Sequence, residues 1–157
     1  MKKIMIVDDN YLSAEGIEKN IDWETLNAEI IHVCYIGTSA IEAMKKEPAD
    51  LIISDIEMPD LDGISMSRQA LEINPMVKII LISAYDKFEY ARRALLLGAL
   101  DYIEKPLDYA YLIQKVKNAF ALMEREQKNL QLLKQSRPLL TEKFFREITH
   151  LPSSEAA

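Results

Sequence analysis

Polar residues capable of chemistry sit where short apolar runs end. Asp8-Asp9 follows Ile4-Met5-Ile6-Val7, and Ser54-Asp55 follows Leu51-Ile52-Ile53. Ser83 closes Ile79-Ile80-Leu81-Ile82, and Lys105-Pro106 comes just after the segment Leu100–Ile103. Uninterrupted apolar runs of this length suit strands buried on both faces, the habit of parallel sheets covered by helices. In an open parallel sheet the carboxyl ends of all strands share one edge, and ligands bind there where the strand order reverses. Asp8, Asp9, Asp55, Ser83 and Lys105 are therefore expected to converge.

Three carboxylates brought together repel one another, so a cation is needed to hold them. Hard oxygen donors without soft ligands suit Mg²⁺, which prefers octahedral oxygen coordination and keeps several waters. A lysine opposite the metal offers a second positive charge to an incoming phosphoryl group, and the Ser83 hydroxyl can donate to one of its oxygens. The set fits phosphoryl transfer, where catalysis is largely positioning and charge neutralisation. Taken singly the residues say less. Asp-Asp after a strand is commonly a helix cap, Ser83 a strand-end hydroxyl, Lys105 a solvated charge and Tyr102 a core aromatic with a wet tip.

The elements that must position them follow from the remaining pattern. Two further strands are expected at Glu29–Tyr35 and Leu100–Ile103, and helices at Tyr11–Asn20, Thr38–Lys46, Gly63–Ile73 and Lys87–Leu97. Strand and helix alternate five times, which implies a doubly wound α/β sheet. Pro48, Asn74-Pro75 and Gly98 punctuate helix ends, Gly98 where a left-handed residue is wanted. Trp23 is expected to pack the first helix-to-strand connection, and Leu95-Leu96-Leu97 to be helix core. A fifth helix is expected from Asp108 to Ser136, longer than the sheet needs, ending before Pro138. Within it Leu112, Val116, Ala119, Met123, Glu126, Leu130 and Leu133 alternate spacings of four and three, a coiled-coil rhythm that Glu126 interrupts. Such a helix either dimerises or folds back onto its own or a neighbouring domain. Residues 151–157 are expected to fray.

The chain has 157 residues, 49% of them hydrophobic and 28% charged, enough for one domain with a full core. Residues 1–107 carry 11 Lys and Arg against 19 Asp and Glu, while residues 108–157 carry 8 against 6. The first part should repel nucleic acid, so any action on DNA needs another domain. The lone Cys34 cannot form an internal disulfide and reads as a small buried hydrophobe of a reducing, cytoplasmic protein. Only four apolar residues separate Lys3 from Asp8, too few for a signal peptide, and no run approaches the ~18 residues of a membrane span. His32 and His150 read as structural or solvated.

Four separated motifs, Asp8-Asp9, Asp55-Ile56-Glu57-Met58-Pro59-Asp60-Leu61-Asp62-Gly63, Ser83-Ala84 and Tyr102-Ile103-Glu104-Lys105-Pro106, resemble the receiver (CheY-like) family of two-component response regulators. The resemblance implies a flavodoxin-like (βα)5 fold with strand order 2-1-3-4-5, here with an extended C-terminal helix. It implies a phosphoacceptor at Asp55, loaded by a sensor histidine kinase, in a regulatory domain that catalyses only its own phosphorylation and dephosphorylation. It assigns Asp9, Asp55 and the Glu57 main-chain carbonyl to Mg²⁺, Asp8 to a metal-bound water, Lys105 and Ser83 to the phosphoryl group, and Ser83 with Tyr102 to the switch. It also implies a cis bond before Pro106, and a homodimer through the helix 4, strand 5, helix 5 face or through the extended helix. Glu57 and Tyr85 depart from the commonest family residues, and Tyr85 as a lid predicts slow self-dephosphorylation.

Ile21-Asp22-Trp23-Glu24, the run Ser83–Ala91 and Ser136–Phe145 resemble regulators with an AraC-type helix-turn-helix output domain. The expected organisation is a receiver at 1–120 and a helical extension at 121–157, leading toward an output domain that the remaining residues are too few to build. Rival readings are a stand-alone receiver, an aspartyl-phosphate phosphatase of the haloacid-dehalogenase kind, and a flavodoxin-like FMN binder. The phosphatase nucleophile normally ends the first strand, whereas Asp55 follows the third. The FMN binder wants a hydroxyl-rich phosphate loop where Asp8-Asp9 stands.

Overall fold

Five short strands, three of them built on uninterrupted apolar runs, form the centre of the protein: β1 (Lys2–Val7), β2 (Ala28–Cys34), β3 (Leu51–Asp55), β4 (Lys78–Ser83) and β5 (Asp101–Glu104). The computed structural model describes residues 1–84 and 88–136. All neighbouring pairs are parallel, in the order β2-β1-β3-β4-β5. Strand order reverses between β1 and β3, so the doubly wound, flavodoxin-like arrangement is as expected.

Alternating helices cover both faces: α1 (Tyr11–Asn20), α2 (Gly37–Lys46), α3 (Gly63–Ile73), α4 (Phe88–Leu97) and α5 (Tyr109–Ser136). Ile4, Met5, Ile6, Ile52, Ile53, Ile79 and Ile80 are all buried to 2% exposure or less. That is why β1, β3 and β4 read as continuous apolar runs rather than as alternating ones. Each such side chain contributes about 1.5–3 kcal/mol of gross hydrophobic free energy.

Local caps start three of the helices. The Asn10 side chain accepts from Leu12 N and Ser13 N, Asp62 from Ser65 N, and Asp108 from Ala110 N. Trp23 is buried and donates from Nε1 to Ile17 O at 3.2 Å, fastening the α1–β2 connection. Gly98 ends α4 at φ +90°, the left-handed conformation for which glycine is suited. His32 Nε2 pairs with Glu47 O at 2.9 Å, a structural contact, and Cys34 is buried.

One expectation fails on α4. Leu95 and Leu96 are 77% and 74% exposed and are not core. Tyr90, Ala94 and Leu97, spaced by four and three, take the inward stripe, so the two leucines between Ala94 and Leu97 must point out. Smaller shifts occur at element ends: β2 and β5 are displaced by one residue, and α2 begins at Gly37 instead of Thr38.

The chain divides into one unit at Met1–Phe120 and a second beginning at Ala121. In the first, Leu112, Val116, Ala119 and Phe120 of α5 are buried. In the second, Leu130, Leu132 and Leu133 are exposed. Residues 137–157, with the expected frayed tail, His150 and most of the Ser136–Phe145 motif, lie outside the described residues.

Candidate functional site

Parallel pairing brings the sequence-distant acids together. Val7 pairs with Ser54 across β1 and β3, so Asp8-Asp9 and Asp55 emerge from adjacent strand ends. One carboxylate oxygen from each of Asp8, Asp9 and Asp55 lies within 4.8 Å of the others. Lys105, arriving from the end of β5, sets its Nζ 3.6 Å from Asp8 Oδ2 and 3.7 Å from Asp55 Oδ1. Its main-chain N–H donates to Ser83 O at 2.8 Å, and the bond to Pro106 is cis.

Burial sets the electrostatics. Asp8 and Asp55 are 2% and 7% exposed, whereas Asp9 is exposed. Burial, and then the neighbouring charge of Asp8, push the Asp55 pKa up to about 6, against the opposing pull of Lys105. Burial raises Asp8 as well, while the Asn10 N–H and Lys105 favour its ionised form. Two buried carboxylates share one lysine beside a third carboxylate at the rim, leaving negative charge for a divalent cation to neutralise. An all-oxygen donor set at this spacing fits Mg²⁺.

Ser83 is fully buried at the end of β4, where Ile82 lies opposite Asp55. Tyr102 is half-buried on β5 opposite Leu81, two residues before Ser83, so both project from one face of the sheet. Beside Tyr102 lies a cleft of about 190 Å³ bordered by Ala91, Ala94 and Leu95 of α4. Glu57 lines a larger cleft of about 590 Å³ together with Asp9, Met58, Tyr90 and Arg93. Tyr85, the expected lid, lies outside the described residues.

Two residues of the Met58–Gly63 motif, quoted from sequence as a whole, make contacts that the sequence did not assign. Gly63 donates its N–H to Ile56 O at 2.8 Å, and a Cβ there would collide with Asp55 O. The Met58–Gly63 turn thus closes directly against the backbone of Asp55, a close approach that only glycine permits. Asp60 crosses to the start of α2, accepting from Gly37 N at 3.1 Å, Thr38 N at 2.9 Å and Thr38 Oγ1 at 2.7 Å. Those donors hold its carboxyl far below the usual carboxylate range, the Thr38 N–H most strongly. The available signal was a missing one: Ile36, at the N-cap of α2, has no side-chain oxygen to offer.

Comparison with known proteins agrees with this geometry. The family model described as the response regulator receiver domain matches residues 4–117. A solved structure, the REC domain of AraT, a response regulator from Geobacillus stearothermophilus, superposes with a TM-score of 0.75 at 34% identity, covering 80% of this chain and 98% of that one. A two component transcriptional regulator AraC from Clostridium phytofermentans superposes with a TM-score of 0.72 at 30% identity, covering 82% and 99%. The uncharacterized transcriptional regulatory protein YesN of Bacillus subtilis is 29% identical over 126 residues, 80% of this chain and 34% of that protein. The transcriptional regulatory protein HptR of Staphylococcus aureus is 30% identical over 112 residues, 71% of this chain and 44% of that protein. The chain therefore spans between a third and a half of the length of these two relatives. By family match, topology and the clustered acids at the carboxyl edge of its sheet, the chain belongs to the receiver domain family of two-component response regulators.

Proposed function

We propose that this protein is a phosphorylation-dependent switch that accepts a phosphoryl group on Asp55 from a sensor histidine kinase and thereby controls a DNA-binding output domain. The observation that carries the reading is the meeting of Asp8, Asp9 and Asp55 within 4.8 Å, with Lys105 Nζ 3.7 Å from Asp55 Oδ1. In the transfer, an Asp55 oxygen forms a bond to phosphorus as the bond between phosphorus and the kinase histidine nitrogen breaks. The electron pair returns to the imidazole.

Asp9, Asp55 and the Glu57 main-chain carbonyl would hold Mg²⁺, with Asp8 fixing a metal-bound water. The metal would neutralise charge as the phosphoryl group moves. Lys105 and the Ser83 hydroxyl then hold the phosphoryl oxygens. Phosphorylation converts the Asp55 carboxylate into an acyl phosphate with more negative charge and more acceptor oxygens, and biases an existing two-state equilibrium. Ser83 turning inward and Tyr102 filling the space it leaves would remodel the face formed by α4, β5 and α5.

The organisation we favour is a receiver at 1–120 and an extension at 121–157 toward an AraC-type output domain. The division after Phe120, the names of the relatives and their greater length support it. Leu95 and Leu96 on α4, and Leu130 and Leu133 on α5, are exposed leucines on the two surfaces suggested for homodimerisation. Among the described residues no helix is long and apolar enough to cross a membrane. Together with the buried lone Cys34, this favours a cytoplasmic protein without a membrane partner.

Acetyl phosphate with Mg²⁺, followed by intact-mass spectrometry, tests the reading. A phosphoryl adduct on wild type and none on Asp55→Asn is expected. An adduct on both would move the acceptor elsewhere, and turnover of a generic phosphate ester would favour the phosphatase reading.

A further inference from the structure

The loop between β3 and α3 carries the Glu57 main-chain carbonyl assigned above to Mg²⁺, so whatever holds this loop holds a metal ligand. Its ends are fastened through the main chain. Ile56 N donates to Ile82 O at 2.9 Å, and Gly63 N donates to Ile56 O at 2.8 Å. Between those points, from Glu57 to Leu61, the hydrogen bonds that leave the loop among the described residues are the three that Asp60 accepts.

Asp60 ties the middle of the loop to a firm anchor. Its donors, Gly37 N, Thr38 N and Thr38 Oγ1, belong to the first turn of α2, a helix whose Ala40 and Met44 are fully buried. Ile36, at the N-cap of α2, makes no side-chain capping bond, so these N–H groups are satisfied from the loop instead. The backbones are close at the same junction: a Cβ on Gly37 would collide with Leu61 O, on the residue after Asp60. A cap supplied by the helix's own chain would constrain α2 alone. A cap supplied from across the fold constrains the loop as well, three residues after Glu57.

We propose that Asp60 is a positioning residue for the metal site: by tying the loop to α2 it keeps the Glu57 carbonyl in its ligating place and thereby sets the affinity for Mg²⁺. The inference rests on the assignment of Asp9, Asp55 and the Glu57 carbonyl to the metal and extends it to a side chain that does not touch the ion. A main-chain ligand has no rotamer to adjust, so its position is that of its loop. Holding the loop before the ion arrives removes ordering that binding would otherwise have to impose.

The test is calorimetric titration of Mg²⁺ into the whole, metal-free chain, with each variant first shown to be folded by circular dichroism. Asp60→Ala is expected to weaken binding about three- to tenfold, the low end for residues that support a metal ligand. Asp60→Asn keeps an acceptor oxygen and should recover most of that loss. Because it discards the same charge, an Asn variant as weak as the Ala variant would assign the effect to long-range attraction and overturn the strap. Thr38→Val changes no charge and should weaken binding by about twofold, as for one lost hydrogen bond, but have no further effect in the Asp60→Ala background. Trp23→Phe, which removes the bond to Ile17 O far from this loop, should lower the melting temperature and leave Mg²⁺ affinity unchanged. Loss of affinity in that variant would mean that general destabilisation is being read, and would overturn the proposal. Asp60→Ala binding Mg²⁺ as wild type does would overturn it too, while leaving the metal ligands as assigned. Folded wild-type protein that binds no Mg²⁺ would overturn the metal assignment and the strap with it.

Discussion

Lys105 Nζ stands 3.7 Å from Asp55 Oδ1 and at nearly the same distance, 3.6 Å, from Asp8 Oδ2. One ammonium group therefore serves two buried carboxylates, and partial neutralisation is what the geometry allows. If this lysine also meets the incoming phosphoryl group, Lys105→Met should slow loading by acetyl phosphate roughly tenfold or more, since charge neutralisation dominates phosphoryl transfer. The check is a mass-spectrometric time course; a rate within about twofold of wild type would remove Lys105 from the chemistry.

The acidity of Asp55 gives a stability signature. Its folded-state pKa, about 6, lies above the ordinary value of 3.8, so the folded protein binds this proton more tightly than the unfolded chain. The associated stabilisation is present below about pH 4 and is lost as pH rises through about 6. Metal-free Asp55→Asn should therefore melt above wild type at about pH 7.5, by the equivalent of about 1–3 kcal/mol, with the gap closing toward about pH 4. Mg²⁺ should raise the wild-type melting temperature and leave the variant little changed. Parallel melting curves across this range, without metal, would contradict the crowding of the three acids.

Asp60 should matter to folding more than its exposed position suggests. Asp60→Ala removes three acceptor contacts to the first turn of α2 and is expected to cost about 1–2 kcal/mol, the range for loss of a helix cap. Because its pKa is lowered, this contribution should be present near neutrality and fade in acid as the carboxylate is protonated. Urea unfolding of the two proteins measures it, and coincident midpoints would show that the contacts contribute nothing.

Gly63 offers a backbone test. Gly63→Ala places a methyl group against Asp55 O and should displace the loop that carries Glu57. We expect a loss of about 1–3 kcal/mol, as for overpacking, together with weaker Mg²⁺ binding. Calorimetric titration of folded Gly63→Ala with Mg²⁺ decides; unchanged affinity would mean that the loop accommodates the methyl without moving the site.

Much of the protein is determined by the sequence alone. Apolar runs such as Ile4–Val7 and Ile79–Ile82 specify strands because a parallel sheet buries both faces, and the polar residue ending each run marks the active edge. Caps by Asn10, Asp62 and Asp108 are also local, reaching N–H groups two or three residues on. Asp8, Asp9, Asp55 and Lys105 could be grouped from sequence because strand ends in such a sheet share one rim whatever the connections are.

Tertiary structure alone decided what lies across crossovers. Asp60 caps α2 from 22 and 23 residues away, a relation that no local pattern encodes. Three consecutive leucines on α4 cannot share one helix face, and the packing of Tyr90, Ala94 and Leu97 selected which one turned inward. Gly63 needs its missing side chain because the Asp55 carbonyl lies against it, a contact formed when the loop after β3 closes. The cleft lined by Glu57 and Arg93 likewise arises only when α4 packs beside that loop. Spacing along a chain fixes which face a residue occupies, but the charge it meets there depends on how distant elements pack.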